Sequence, residues 1–291
     1  MFSGSYTALI TPFRNNELDE DALKALVNWQ IEQGSHGLVP AGTTGESATL
    51  TEYEHKRTIQ IVVEAAAGRV PVIAGAGSNN PVEALAFAKS AQSLGADAIL
   101  CVAGYYNRPS QQGLYEHFKY IHDQSDIPII IYNIPPRAVV DITPSTMAQL
   151  AGLPRIVGVK DATGDLARPS LERALIDKEF NYFSGEDITA VAYQAMGGGG
   201  CISVTSNVAP KLCAQLQSYC LKGDYENALA LHEKLLSLHQ VLFLEPNPSG
   251  AKYALSLLGL CFEDVRLPII PLSNESKEKT YIAMKELKLV K

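Results

Sequence analysis

Residues 71–104, "PVIAGAGSNNPVEALAFAKSAQSLGADAILCVAG", hold one complete structural repeat of this chain. The apolar run at 71–77 is short and lacks polar alternation, as a strand buried on both faces should. Asn80 then offers an N-cap, with Pro81 at the first helical position and Glu83 placed to complete a capping box. The spacing predicts a helix over 81–94 that stops at Gly95. A second apolar run at 98–104 follows, so the stretch reads as strand, helix, strand.

The same alternation covers most of the sequence. Strands are expected at 6–11, 37–42, 127–133, 156–161, 181–186 and 201–207. Helices are expected at 19–33, 51–67, 114–123, 144–150, 171–178 and 188–196. Thr51 and Glu54 form a capping box, Thr143-Pro144 repeats the Asn80-Pro81 device, and Gly152 and Gly197 fall at helix ends. Eight strands alternating with helices predict a (β/α)8 TIM barrel over residues 1–225. An open doubly wound sheet is the competitor, but no G-x-G-x-x-G turn follows the first strand. From Pro210 onward the pattern is purely helical, and residues 226–291 read as a C-terminal helical extension.

Composition narrows the function. The chain has 291 residues, 46% of them hydrophobic and 19% charged, enough for a full core without disulfides or metals. A net charge of −7 with scattered signs argues against nucleic acid or an anionic membrane as partner. Five cysteines without a C-x-x-C pair suit a reduced, cytoplasmic protein. The N-terminus reads as a first strand with no export leader, and no stretch approaches a membrane span. The six histidines include no H-x-H or H-E-x-x-H pair, so no metal is expected.

The chemistry concentrates at strand ends. In "IVGVKDATGD" (156–165), Ile156, Gly158 and Lys160 share one face, and Val157 and Val159 the other. If the valines pack under helices, Lys160 points into the barrel mouth, where such folds place their active sites. An amine held where water is scarce loses its proton more readily, and a neutral amine attacks ketones to form a Schiff base. The competing reading is a lysine that snorkels to solvent. On strand five Ile130 and Tyr132 share a face. Strand two runs into "AGTTGES" (41–47), where Thr43, Thr44 and free N–H groups could cradle a carboxylate.

Taken together, "GTTGES", "YYNRPSQQGLYEHF", "YNIPPR", "GVKDATGD" and "EPNPSGAKYALSLLGL" resemble the dihydrodipicolinate synthase family over effectively the whole chain. That family belongs to the lysine-dependent class I aldolases, together with N-acetylneuraminate lyase. The resemblance implies that Lys160 forms a Schiff base with pyruvate, whose enamine adds to aspartate semialdehyde on the route to diaminopimelate and lysine. It matches Tyr132 to the acid–base phenol, Thr43 to a relaying hydroxyl, and Tyr106 to a second tyrosine reaching in from a neighbouring subunit. Thr44 matches the pyruvate carboxylate cradle, Arg137 the group receiving the second carboxylate, and Ile202 a carbonyl beside the amine. No cofactor beyond the covalent adduct is implied, and the assembly implied is a homotetramer built from dimers.

The resemblance also implies a lysine feedback site at Ser47, Ala48, His55, Asn79, Glu83 and Tyr105. There Glu52 departs from the His or Trp of other members. Two further departures are Ala138-Val139 after the arginine and Ala103-Gly104 before the tyrosines. Arg137 and the tyrosine pair favour the synthase over N-acetylneuraminate lyase or a 2-keto-3-deoxy sugar acid aldolase. A phosphosugar aldolase is disfavoured, since "SGEDI" after strand seven is acidic and glycines 197–200 read as a helix stop. A keto-acid-binding barrel without catalysis is the alternative of a different class. No G-x-S-x-G elbow supports a hydrolase.

Overall fold

The computed structural model describes residues 2–102 and 104–291, so Ala103 of the Ala103-Gly104 departure lies outside the described residues. Eight parallel strands form the barrel: β1 Gly4–Ala8, β2 Gly37–Val39, β3 Ile73–Gly75, β4 Ala98–Val102, β5 Ile129–Asn133, β6 Ile156–Asp161, β7 Asn181–Ser184 and β8 Gly200–Ser203. Neighbours in sequence pair in order, and β8 pairs with β1. Closure between β2 and β3 comes from Leu38 N–H on Pro71 O (3.0 Å) and Gly75 N–H on Pro40 O (2.9 Å). The predicted TIM barrel is the observed fold.

Two apolar layers follow from the pleat. Tyr6, Val39, Ile73, Leu100, Ile130, Phe183 and Ile202 fill the barrel interior. Ile99, Ile129, Ile131 and Val159 face outward under the surrounding helices. Gly37 is required here because the Tyr6 ring lies across it: an added Cβ would stand 2.0 Å from Tyr6 Cε1.

The helices that frame the site carry the expected caps. α1 (Glu20–Glu32), α2 (Glu52–Ala66), α3 (Pro81–Ser93) and α4 (Gln111–Gln124) are capped by Asp19, Thr51, Asn80 and Ser110. The reciprocal Thr51–Glu54 box is present. Ser110 starts α4 three residues earlier than the apolar pattern suggested. The helix expected at 171–178 spans Arg168–Arg173 instead. Beyond it the chain turns back, and Lys178 Nζ donates to Leu153 O and Ile156 O.

One detail of β6 corrects the alternation argument. A register shift opposite Ile129 and Ile130 turns Ile156 outward with Val159, while Val157 packs against the interior cluster. Past that shift, Gly158 pairs with Ile130 and Lys160 with Tyr132, so the end of the strand faces inward as expected.

After β8 come α5 (Pro210–Leu221), α6 (Tyr225–Val241), α7 (Ser249–Leu257) and α8 (Asn274–Glu286). Cys213, Leu216 and Cys220 of α5 share one core with Leu235, Leu238, Ala254 and Met284. Ala251 and Leu255 join a second core with Leu9, Ile10, Leu23 and Leu26. The helical extension is therefore fused to the barrel through shared apolar surface.

Candidate active site

Lys160 is the penultimate residue of β6 with only 6% of its surface exposed, and no carboxylate pairs with it among the described residues. A lysine so buried is normally paired. Its amine stands 4.2 Å from the centroid of the Tyr132 ring, which lies level with it on β5. Gly158, two residues below, lets β7 approach closely, since a Cβ there would meet Asn181 O at 2.6 Å. Gly185, just past β7, lies against the lysine stem: an added Cβ would sit 3.2 Å from Lys160 Cε and 2.8 Å from Ala162 Cβ.

The 42–47 loop after β2 supplies the hydroxyls. Thr44 is buried and its Oγ1 accepts a hydrogen bond from Asn247 Nδ2 at 2.9 Å, whereas Thr43 is exposed at the rim. Thr11 Oγ1 donates to Gly45 O at 2.7 Å, and Glu46 holds a left-handed φ of 55°. Ile202 is wholly buried in β8 beside Tyr6 and belongs to the same interior cluster as Tyr132.

Arg137 lies on a single exposed helical turn, Pro135–Ala138, directly after β5, and forms no ion pair with the described residues. The departure at Ala138-Val139 leaves the turn intact but at a cost. Val139 closes it at a φ of 64°, a region β-branched residues resist. Asn133 fastens the loop that follows: its Nδ2 donates to Asp141 Oδ1 at 2.8 Å, and its Oδ1 accepts from Ile142 N–H at 3.2 Å. Arg168 adds a pair with Asp141 and a 2.6 Å bond to Ile142 O.

Tyr106 does not join this group within one protomer. It is 89% exposed with a φ of 68°, projecting from the loop after β4. The expected regulatory residues come from several separate segments. Ser47 and Ala48 lie in the short 3-10 turn Ser47–Thr49 at the end of the 42–47 loop, and buried His55 on α2 stacks on Phe87 at 4.2 Å between ring centroids. Asn79 O accepts from Asn107 Nδ2 at 3.0 Å, and Tyr105 is partly exposed nearby in the chain. Glu83 does not close a capping box at Asn80. Its carboxylate takes the Ser78 hydroxyl instead, and that hydroxyl accepts Asn80 N–H. Glu52 forms an exposed pair with Lys56 at 2.6 Å. A groove of about 500 Å³ runs between Asn79, Asn107, His117 and Asp123, not over Lys160.

Acidic groups lie behind and beside the amine. Burial raises Asp161, and Glu172 is pushed up to about 8 by burial and then by the Asp161 charge. Glu186 is also raised, by burial and Asp187 together, against the opposing pull of Lys160. Among the described residues no three His, Cys, Asp or Glu side chains are grouped to hold a metal ion. No helix there is long and apolar enough to cross a membrane. All five cysteines are free.

Sequence reasoning passed over Gly185, Asn133, Asn247, Glu46 and Lys252. Lys252 alone carried a readable signal, a charge on the buried stripe of an apolar helix. Gly185, Asn247 and Glu46 act through partners far away in the chain, and Asn133 through a loop that folds back on it.

A barrel with an unpaired buried amine at the C-terminal end of β6 and a phenol on β5 defines a lysine-dependent class I aldolase. The chain belongs to the Dihydrodipicolinate synthetase family, whose model matches residues 1–287. It is 60% identical over 290 residues to the 4-hydroxy-tetrahydrodipicolinate synthase of Ruegeria pomeroyi, covering 100% of both chains. The dihydrodipicolinate synthase of Acinetobacter baumannii, solved as the chloride-inhibited enzyme complexed with pyruvate, superposes with a TM-score of 0.97 at 41% identity and covers 100% of both chains. The enzyme of Cyanidioschyzon merolae, solved with lysine bound, gives a TM-score of 0.96 at 36% identity, covering 99% of each chain.

Proposed function

We propose that this chain is a 4-hydroxy-tetrahydrodipicolinate synthase, joining pyruvate to aspartate semialdehyde through a Schiff base on Lys160. The observation that carries this reading is the Lys160 amine, buried at the strand end, unpaired, and set over the Tyr132 ring. In the proposed sequence the neutral amine attacks the keto carbon of pyruvate, and loss of water leaves an iminium. The iminium is the electron sink, so a methyl proton can leave to give an enamine without metal or other cofactor. The enamine carbon then adds to the aldehyde. The amino group of the adduct displaces Lys160 by transimination, closing the ring and freeing the enzyme.

The roles we infer are those the family resemblance implies. Tyr132 moves protons at the reacting carbons, with Thr43 and the Tyr106 of a neighbouring subunit as the relay. Thr44 and the loop N–H groups receive the pyruvate carboxylate, and the Ile202 carbonyl takes the place beside the amine that the resemblance implies. Arg137, exposed and without an ion pair, receives the carboxylate of the second substrate as a bidentate partner. The exposure of Tyr106 supports a site completed by a second copy of the chain, and we infer a homotetramer built from dimers. We further infer that lysine inhibits at Ser47, Ala48, His55, Asn79, Glu83 and Tyr105, and that the enzyme works in the cytoplasm, where its free cysteines stay reduced.

The test is an aldol assay with pyruvate and aspartate semialdehyde, coupled to the next reductase, run beside cleavage of N-acetylneuraminate and keto-deoxygluconate. Turnover with aspartate semialdehyde is expected. Activity confined to the sugar acids would overturn the assignment, and pyruvate binding without borohydride trapping would make the barrel a binder.

A further inference from the structure

Lys160 is one of two buried lysines among the described residues. The other, Lys252 on α7, belongs to the helical extension and is fully buried. Its amine meets Glu46 Oε1 at 2.5 Å, donates to Asp264 O at 2.7 Å, and stands 4.0 Å from the centroid of the Phe13 ring. The other carboxylate oxygen, Glu46 Oε2, accepts Arg266 N–H at 2.9 Å. The Arg266 side chain covers Phe13 as well, at 4.1 Å, and grips Glu54 through both terminal nitrogens at 2.6 and 2.8 Å. Both charges of the Lys252–Glu46 pair are out of water, and the reaction sequence above uses neither.

A buried ion pair is poor insurance for stability, because desolvation of both ions offsets their attraction and apolar side chains of the same volume often serve as well. What such a pair does supply is direction. Glu46 sits in the left-handed region, a conformation that persists in an ordinary L-residue only where its surroundings impose it. It is also the third of three consecutive loop residues held from outside the loop. Asn247 holds the Thr44 hydroxyl, Thr11 holds the Gly45 carbonyl, and Lys252 holds the Glu46 carboxylate. Two of those three clamps come from the extension.

We propose that Glu46 and Lys252 are positioning residues for the keto acid: their buried contact fixes the 42–47 loop, and with it the aim of Thr44 and the neighbouring N–H groups at the substrate carboxylate. The extension thereby becomes part of the substrate site without touching substrate. This rests on the reading of Thr44 as carboxylate cradle and Lys160 as nucleophile.

The test uses the full chain carrying Glu46→Gln and Lys252→Met together, which removes both charges, conserves volume, and leaves an acceptor for Arg266 N–H. Wild type and variant are trapped with borohydride over a series of pyruvate concentrations, with steady-state kinetics and thermal unfolding in parallel. The expected result is a cooperative unfolding transition, full trapping at saturating pyruvate, and a half-saturating pyruvate concentration raised about tenfold, while the KM for aspartate semialdehyde stays within about twofold. A second variant, Lys252→Arg, keeps a cation under Glu46 and is expected to recover most of the pyruvate affinity. If the double variant does not fold, Glu46→Asp, which withdraws the carboxylate by one methylene, gives the same comparison. Unchanged half-saturation in the folded variants, whatever happens to their unfolding temperature, would overturn the proposal. Failure of the wild type to be trapped at all would overturn the Lys160 reading, a separate result visible before any variant is made.

Discussion

Gly185→Ala puts one methyl group against the stem of Lys160, and the outcome can be worked from distances. The new Cβ would stand 2.8 Å from Ala162 Cβ, 3.0 Å from Asp161 O and 3.2 Å from Lys160 Cε. Carbon atoms rest about 3.5–4.0 Å apart, so the Ala162 contact must open by roughly 1 Å and the Lys160 stem must give by about 0.3–0.8 Å. Asp161 O cannot retreat easily, because it accepts Gly185 N–H at 2.6 Å and belongs to a strand paired on both sides. The lysine stem is the most compliant neighbour and takes much of the shift. Overpacking of this size costs about 1–3 kcal/mol of stability, which a chain with a core this large survives. For catalysis, a misplacement of about 1 Å is worth on the order of 10²-fold. The variant should remain folded, with kcat/KM down about 10-fold to 10²-fold and borohydride trapping with pyruvate slowed in proportion. Wild-type kinetics within about threefold would refute the claim that Gly185 sets the position of the amine.

Other perturbations probe separate parts of the structure. Val139→Gly removes the left-handed strain at the end of the Arg137 turn and should stabilise the protein by about 1 kcal/mol in urea unfolding, with no gain counting against a strained valine. Asn133→Ala unfastens the loop from Asp141 to Ile142, so the KM for aspartate semialdehyde should rise several-fold while the pyruvate concentration for half-maximal trapping is unchanged; a change in pyruvate alone would contradict this. Burial holds His55 and His117 down to about 4 in the folded chain, whereas free imidazole titrates near 6.5. Between those values the unfolded chain binds more protons, so this contribution is complete above about pH 6.5 and is lost as pH falls toward 4, by at most roughly 3 kcal/mol per histidine. Melting temperatures flat from pH 7 to 5, with the His55→Gln/His117→Gln protein showing the same profile, would contradict it.

The barrel was legible because its strands are buried on both faces and its helices carry caps, both local properties. Residues 71–104 contain an apolar run, an Asn-Pro cap, a glycine stop and a second run, and each is seen where it was expected within a few residues. The start of β6 was misread for a non-local reason: the register shift against β5 reverses the faces of Ile156 and Val157, and nothing in the sequence marks it. Lys160 was visible as a charge at the end of an apolar strand. Lys252 carries a similar signal on α7, yet periodicity could not say that its partner is Glu46 in the loop after β2. The same limit hid Asn247, whose bond to Thr44 joins segments remote in the chain, and Asn133, whose bonds depend on how the loop after β5 folds back. Glu83 shows the converse, a capping pattern diverted by a nearer hydroxyl on Ser78.

The most direct test of the central claim is mass spectrometry of the protein after reduction with borohydride in the presence of pyruvate. Among the described residues two lysines are buried, and of these Lys160 is the one without a carboxylate partner. One reduced pyruvyl group per chain is expected, on the peptide containing Lys160, with none on Lys252 and none at all in Lys160→Ala. An adduct located on any other lysine, or no adduct at saturating pyruvate, would contradict the account.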